Sequence, residues 1–92
     1  MKVTVIFLGP LAQQVGQESV PFDLPRGALY GDLLDDMGRR FGDKLHERYW
    51  DSEAICFKAQ ILVMGTGSDY IERGQPLVEG ETIKVVPFLG GG

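Results

Sequence analysis

The chain has 92 residues, of which 43% are hydrophobic and 24% charged, a composition typical of one small folded domain rather than of a disordered chain. Its net charge of −4 argues against a nucleic-acid partner, and no apolar run approaches the roughly 20 residues that cross a membrane. The single cysteine, Cys56, excludes an internal disulfide or a cysteine-rich metal site, so we expect a cytoplasmic protein.

Two segments in which apolar residues alternate predict the first two strands. They span residues 3–7 and residues 19–24. Between them, Gly9 and Pro10 mark a turn, and residues 11–17 are predicted to form a loop or short turn. Pro21 has no N–H to donate to a neighbouring strand, which predicts an edge position or a bulge.

A helix is predicted next, because apolar residues recur three and four positions apart. These residues are Tyr30, Leu33, Leu34, Met37 and Phe41. Acidic residues come early on the opposite face and arginines late, as the helix dipole favours. Gly42 suits the left-handed position that ends a helix, whereas Ala28 and Leu29 offer no side-chain oxygen to cap its start.

The second half of the chain is predicted to hold two more strands. Residues 43–58 show little periodicity, and we expect a short helix over residues 44–49 followed by a loop. Residues 61–64 and 82–87 are predicted strands. Residues 65–69 bound the first of them, residues 70–71 are predicted to be a brief extended piece, and residues 76–81 a turn that leads into the last strand. The order β-β-α-β-β predicts an α+β fold in which the last strand lies parallel to the first in the middle of one sheet.

The printed sequence finishes on Leu89-Gly90-Gly91-Gly92. Glycine has no side chain to pack and loses much conformational entropy when it is ordered. We therefore expect residues 1–88 to form the domain and residues 89–92 a flexible tail that projects into solvent. An end without function is the alternative interpretation of these glycines.

Three local patterns resemble the MoaD and ThiS families of ubiquitin-like sulfur carriers. They are the first strand followed by residues 11–16, the helix start Gly31-Asp32-Leu33-Leu34-Asp35, and the end of the chain from residue 81 to Gly92. The resemblance covers nearly the whole chain and implies a ubiquitin-like β-grasp fold, with a mixed sheet of four to five strands and one main helix on one face. The long segment 43–58 makes the chain more similar to the molybdopterin synthase small subunit than to the thiamine-type carriers.

The resemblance also implies a chemistry for the chain end. An E1-like enzyme would use ATP to adenylate the carboxylate of Gly92, and sulfur would then replace the adenylate to leave a thiocarboxylate. The large subunit of molybdopterin synthase would pass that sulfur to a pterin precursor. The chain itself would bind no cofactor or metal and supply no catalytic side chain, with Gly90 and Gly91 serving as the tail. A terminal carboxyl group, with a pKa of about 3.5, is ionised at neutral pH.

Residues just before the glycines are candidate contacts for those partner enzymes. Phe88, Leu89 and Pro87 would be apolar anchors in a partner groove, and Lys84 would meet acidic groups. Packing of Phe88 over the end of the sheet is the alternative. Cys56 is interpreted as a small buried hydrophobic residue.

Other functions remain open at this point. The same activated Gly92 would serve a protein modifier that is joined to lysines of other proteins, or a sulfur carrier for thiamine synthesis. A third alternative is a binding module with an unreactive tail.

Overall fold

A four-stranded mixed sheet forms the centre of the molecule in a computed structural model that describes residues 1–88. The elements in chain order are β1 (Lys2–Phe7), α1 (Pro10–Val15), β2 (Ser19–Asp23), α2 (Tyr30–Phe41), β3 (Trp50–Asp51), β4 (Cys56–Phe57), β5 (Ile61–Met64) and β6 (Thr82–Pro87). The large sheet has the strand order β2-β1-β6-β5, and a separate small ladder pairs β3 with β4.

The topology agrees with the prediction from the sequence. Strand β6 runs parallel to β1 and antiparallel to β5, so the last strand occupies the middle of the sheet. Strand β2 lies at the edge, where Pro21 pairs in register with Thr4 and its missing N–H costs no internal hydrogen bond. The predicted α+β architecture, with one main helix on one face of a mixed sheet, is confirmed.

The core lies between α2 and one face of the sheet. Val3, Val5 and Phe7 of β1 all point to this side and are at most 1% exposed. The apolar stripe of α2 covers them, and the Phe41 ring meets the Phe7 ring edge-on at 6.2 Å between centroids. Because successive strand residues point to opposite sides of a sheet, the residues between these lie on the other side, which faces solvent and is called the open face here.

Both ends of α2 differ in detail from simple capping rules. The Asp32 carboxylate accepts a hydrogen bond from the Leu29 N–H at 2.8 Å, so an acid inside the first turn compensates for the poor cap before it. Gly42 is right-handed (φ −56°), so its predicted left-handed role is wrong. The chain instead continues into further turns, in which the Lys44 N–H donates to the Phe41 carbonyl.

Two local predictions are wrong because tertiary contacts outweigh weak local signals. In place of the loop predicted over residues 11–17, Pro10–Val15 forms a helix that buries Leu11 and Val15 one turn apart and ends at Gly16 with φ 88°. The helix predicted over residues 44–49 is absent, and that stretch consists of turns. A contact from α1 stabilises this stretch, because the Gln14 side-chain oxygen accepts a hydrogen bond from the His46 N–H at 2.9 Å.

The sequence does not predict the strands β3 and β4, because two residues are too few to show an alternating pattern. Their ladder is stabilised by Trp50 and Phe57, whose rings meet edge-on at 4.9 Å. The Asp51 carboxylate accepts from the backbone N–H groups of Glu53 and Ala54, at 3.0 Å each, which lowers its pKa. Segment 43–58 is thus an ordered excursion rather than an open loop.

Candidate functional site

Strand β6 carries the chain toward its C-terminal glycines from the most constrained position in the sheet. It is paired along both sides, with β1 and with β5. Ile83 and Val85 point into the core and are 0% exposed, whereas Thr82 and Lys84 lie on the open face. This last strand is therefore immobilised by packing on one side and by hydrogen bonds on both edges.

The end of β6 is held by the two strands beside it. The Leu8 N–H donates to the Val85 carbonyl at 3.1 Å, and the Phe88 N–H donates to the carbonyl of Gln60. The Pro87 ring lies against Gly9, where an added Cβ would come within 3.4 Å of the Pro87 Cγ. Gly9 also has φ 61° and ψ −142°, a backbone conformation open essentially to glycine alone. These contacts define the direction in which the chain leaves the sheet at residue 88.

Apolar side chains surround this exit on the open face. The strand register brings Ile6, Lys84 and Met64 into one row across three strands, and Val86 and Leu62 into the next. Beyond them, Phe88 is 60% exposed although its backbone is hydrogen-bonded. We call this set the open-face patch: Ile6, Leu62, Met64, Val86 and Phe88. Met64 and Phe88 of this set are exposed, and the other three side chains are half-buried. Apolar side chains grouped at a surface in this way make a candidate interaction site.

The described residues bring together part of the predicted site. Lys84 stands within the open-face patch, and no ion pair forms at its ammonium group among residues 1–88. Pro87 and Phe88 lie at the exit itself. The remaining predicted residues are Leu89, Gly90, Gly91 and Gly92, which lie outside the described part of the chain.

Sequence reasoning missed Glu81, which fastens the start of β6. Its side chain is buried at 5% exposure. The carboxylate accepts hydrogen bonds from the Tyr70 hydroxyl, the Val78 N–H at 2.8 Å and the Thr66 N–H at 3.2 Å. Burial, together with the bond to Glu81 and its charge, raises the pKa of the Tyr70 phenol. Nothing in the local sequence distinguishes Glu81 from the exposed Glu79 two residues earlier.

Residues 1–88 hold no group of three or more His, Cys, Asp or Glu side chains placed to bind a metal ion. Neither described helix is long and apolar enough to cross a membrane.

Comparison with known proteins identifies the fold. No protein-family model and no curated protein matches the chain. Among solved structures, SAMP1 from Haloferax volcanii superimposes with a TM-score of 0.80 at 22% identity, over 100% of both chains. The chain has the β-grasp fold. The fold class predicted from the sequence is thereby confirmed.

Two further solved structures extend the comparison. A Pyrococcus furiosus protein provisionally assigned as molybdopterin converting factor subunit 1 matches with a TM-score of 0.71 and 22% identity, over 97% of this chain and 99% of its own. A chain of the BexX/CysO complex from Amycolatopsis orientalis matches with a TM-score of 0.62 and 23% identity, over 98% and 99%. The structural neighbours are thus proteins of the group that the sequence resembles.

Proposed function

We propose that this protein carries an activated group on the carboxylate of Gly92. An E1-like partner adenylates that carboxylate with ATP and releases pyrophosphate. A sulfur donor then displaces AMP to form a thiocarboxylate, and the thiocarboxylate gives its sulfur to a pterin precursor in molybdopterin synthesis. Because the reacting atoms belong to the main chain and to the partners, the protein needs no catalytic side chain for this role.

The observation that carries the proposal is the way β6 ends. The central strand β6 is paired on both edges and ends at Pro87, whose ring lies against Gly9. The exposed Phe88 comes next, and the sequence continues with Leu89 and three glycines. A rigid base with a slim arm suits delivery of a terminal group into another enzyme's site, since four residues span up to roughly 14 Å. The open-face patch beside the base offers that enzyme an apolar surface on which to bind.

The comparisons support two parts of this proposal. The likeness to the Pyrococcus furiosus molybdopterin converting factor subunit favours molybdopterin synthesis as the pathway. The neighbour from the BexX/CysO complex is a protein of this fold that assembles with another protein, which favours enzyme partners for the open face.

A second candidate function is protein modification. It is favoured by the similarity to the small archaeal modifier protein 1 of Haloferax volcanii. A second structure of that protein also matches this chain, with a TM-score of 0.77. In this role the adenylated Gly92 reacts with a lysine amine of another protein, forms an amide bond and releases AMP. Both functions use the same first step and diverge at the nucleophile.

Intact-mass measurement of the protein purified from its native host tests these functions directly. The carrier predicts a fraction of the protein whose mass has increased by one oxygen-to-sulfur exchange at Gly92. The modifier predicts Gly92 remnants on lysines of other proteins after digestion. The same spectrum reports the residue at which the native chain ends.

A truncated variant supplies the control. Removal of Gly91 and Gly92 should leave the circular dichroism spectrum and the unfolding midpoint unchanged, because the last strand of the sheet ends at Pro87. It should abolish ATP–pyrophosphate exchange with the E1-like enzyme and abolish cofactor synthesis in cells. A host that still makes the molybdenum cofactor with only this truncated protein would refute the carrier role.

A further inference from the structure

The outer edge of β5, on the side away from β6, carries main-chain groups that the sheet does not use. In a strand, the N–H and C=O groups of successive residues point to alternate edges. The Phe88 N–H donates to the Gln60 carbonyl across the β5–β6 ladder, and this bond sets the alternation along β5. Leu62 therefore faces β6, and the main-chain groups of Ile61 and Val63 point to the outer edge.

Two of these four outward groups are already bonded. The Ile61 N–H donates to the Lys58 carbonyl at 3.0 Å, and the Val63 carbonyl accepts from the Tyr70 N–H at 2.8 Å. Among residues 1–88, no group donates to the Ile61 carbonyl and none accepts from the Val63 N–H. Main-chain groups of buried residues are normally paired, and these two residues are only 9% and 4% exposed. An acceptor and a donor thus lie side by side on this edge without a partner in the described part of the chain.

The open stretch of this edge is too short for another strand. Lys58 occupies the edge before the gap, and Tyr70 occupies it after the gap. An antiparallel strand would also need the Ile61 N–H and the Val63 carbonyl, both of which are taken. A parallel strand would meet Tyr70 one residue beyond the gap. The free pair therefore suits a small molecule that supplies one donor beside one acceptor.

A cleft of about 450 Å³ opens onto this edge of β5. Its volume lies in the range of small-molecule pockets, roughly 300–1,000 Å³. Aromatic side chains line it, among them Phe57 and the Tyr30 ring, which stacks on the Tyr70 ring at 5.1 Å between centroids. Cys56, expected from the sequence to be buried, is half-buried in the same lining. Walls of this kind favour a flat ring as the body of a ligand.

The charges around the cleft offset one another, which favours a neutral ligand. Lys58 and Arg73 line it together with Glu72. The Arg73 guanidinium donates to the Asp35 carboxylate at 2.5 Å. Backbone hydrogen bonds and, after them, the nearby Lys58 charge lower the pKa of the Asp51 carboxyl. Two positive groups thus face three carboxylates, and no net positive charge is left for an anion.

We propose that this cleft binds a neutral, planar nitrogen heterocycle that carries an amino group beside a ring nitrogen, the arrangement found on the edge of adenine. The amino N–H donates to the Ile61 carbonyl, and the ring nitrogen accepts from the Val63 N–H. The flat ring packs against the aromatic side chains of the walls. The cleft shares only Leu62 with the open-face patch, so this proposal does not depend on the function proposed for Gly92.

Titration of the isotope-labelled protein with adenosine, followed by two-dimensional NMR, tests this site. The Val63 amide signal should shift in a saturable way, because its N–H gains a bond to the ring nitrogen. Purine riboside has the same ring without the amino group, and its Kd should be about fivefold higher, the effect of one lost hydrogen bond. An unchanged Val63 signal up to the solubility limit of adenosine would overturn the assignment, as would equal Kd values for the two nucleosides.

A variant that narrows the cleft supplies the control from the side of the protein. Ala59 is exposed in the lining, so Ala59→Leu should keep the fold and raise the Kd for adenosine about tenfold, within the range of base–aromatic stacking. Gln17→Leu places the same side chain on the loop before β2, at the other edge of the sheet, and should leave the Kd unchanged. Circular dichroism checks the fold of both variants. The same Kd for both folded variants would contradict binding in this cleft.

Hydrogen exchange of the free protein tests the unpaired N–H itself. The Val63 amide should exchange with solvent faster than the amide of Leu62, which pairs with Val86 in the ladder. Saturating adenosine should then slow the exchange of the Val63 amide. Equal protection of the two amides without adenosine would show that the Val63 N–H already has a partner, and the assignment would fail.

Discussion

Replacement of Phe88 by alanine tests the open-face patch most directly. The ring is 60% exposed in the free protein. A phenylalanine side chain buries about 200 Å² when it is fully covered, so a partner that closes over it removes roughly 120 Å² more from water. At about 25 cal/mol per Å² this amounts to about 3 kcal/mol, or roughly a hundredfold in Kd. We expect Phe88→Ala to weaken binding by about tenfold to a hundredfold, the lower figure applying if coverage is partial.

The assay is titration calorimetry of the purified variant against the E1-like enzyme of the same host. The fold should be unaffected, because the Phe88 N–H that bonds to Gln60 is retained by alanine. Val78→Ala is the matched control, since Val78 is 54% exposed but lies near the opposite end of β6. A Kd for Phe88→Ala within twofold of that for Val78→Ala would show that the patch does not bind this partner.

Three further predictions concern the supports of the site, each measured as the free energy of unfolding in urea. Gly9→Ala should cost about 2 kcal/mol, because its conformation excludes a side chain, whereas Gly74→Ala, with open space around it, should stay within about 1 kcal/mol; equal effects would contradict the strain argument. Glu81→Ala should cost about 3 kcal/mol because it removes the acceptor of two backbone N–H groups and leaves the Tyr70 hydroxyl with only the Pro76 carbonyl at 3.5 Å, and a loss below about 1 kcal/mol would show that water replaces the carboxylate. Stability should also fall above about pH 10, because the raised pKa values of Tyr30 and Tyr70 keep both phenols protonated in the folded state while the unfolded chain releases their protons. Each phenol contributes a slope of about 1.4 kcal/mol per pH unit, so Tyr70→Phe should halve the total, and a flat profile between about pH 9 and about pH 11 would refute the assignment.

Much of the fold could be predicted from local sequence patterns. Apolar residues recur about every second position in the strands of the sheet and every three to four positions in the main helix. These periods predict the secondary structure without any knowledge of tertiary contacts. The errors fell where that signal is short. The helix Pro10–Val15 buries only Leu11 and Val15, and the ladder between Trp50 and Phe57 rests on two-residue strands.

The candidate site could be predicted only in part. Lys84, Pro87 and Phe88 follow from the last strand and its neighbouring glycines, because they are adjacent in sequence. Their partners across the sheet do not, since Gly9 and Gln60 come from distant segments that meet β6 only after folding.

The sequence by itself determined the four strands of the large sheet and the main helix, because the period of the apolar residues is a local property. Only the tertiary structure decided which residues hold the end of β6. Glu81 became a buried acceptor through Tyr70 and Thr66, and Cys56 came to share a cleft with Tyr30 from another element. Such roles arise from contacts between residues far apart in the chain, and no local pattern in the sequence encodes them.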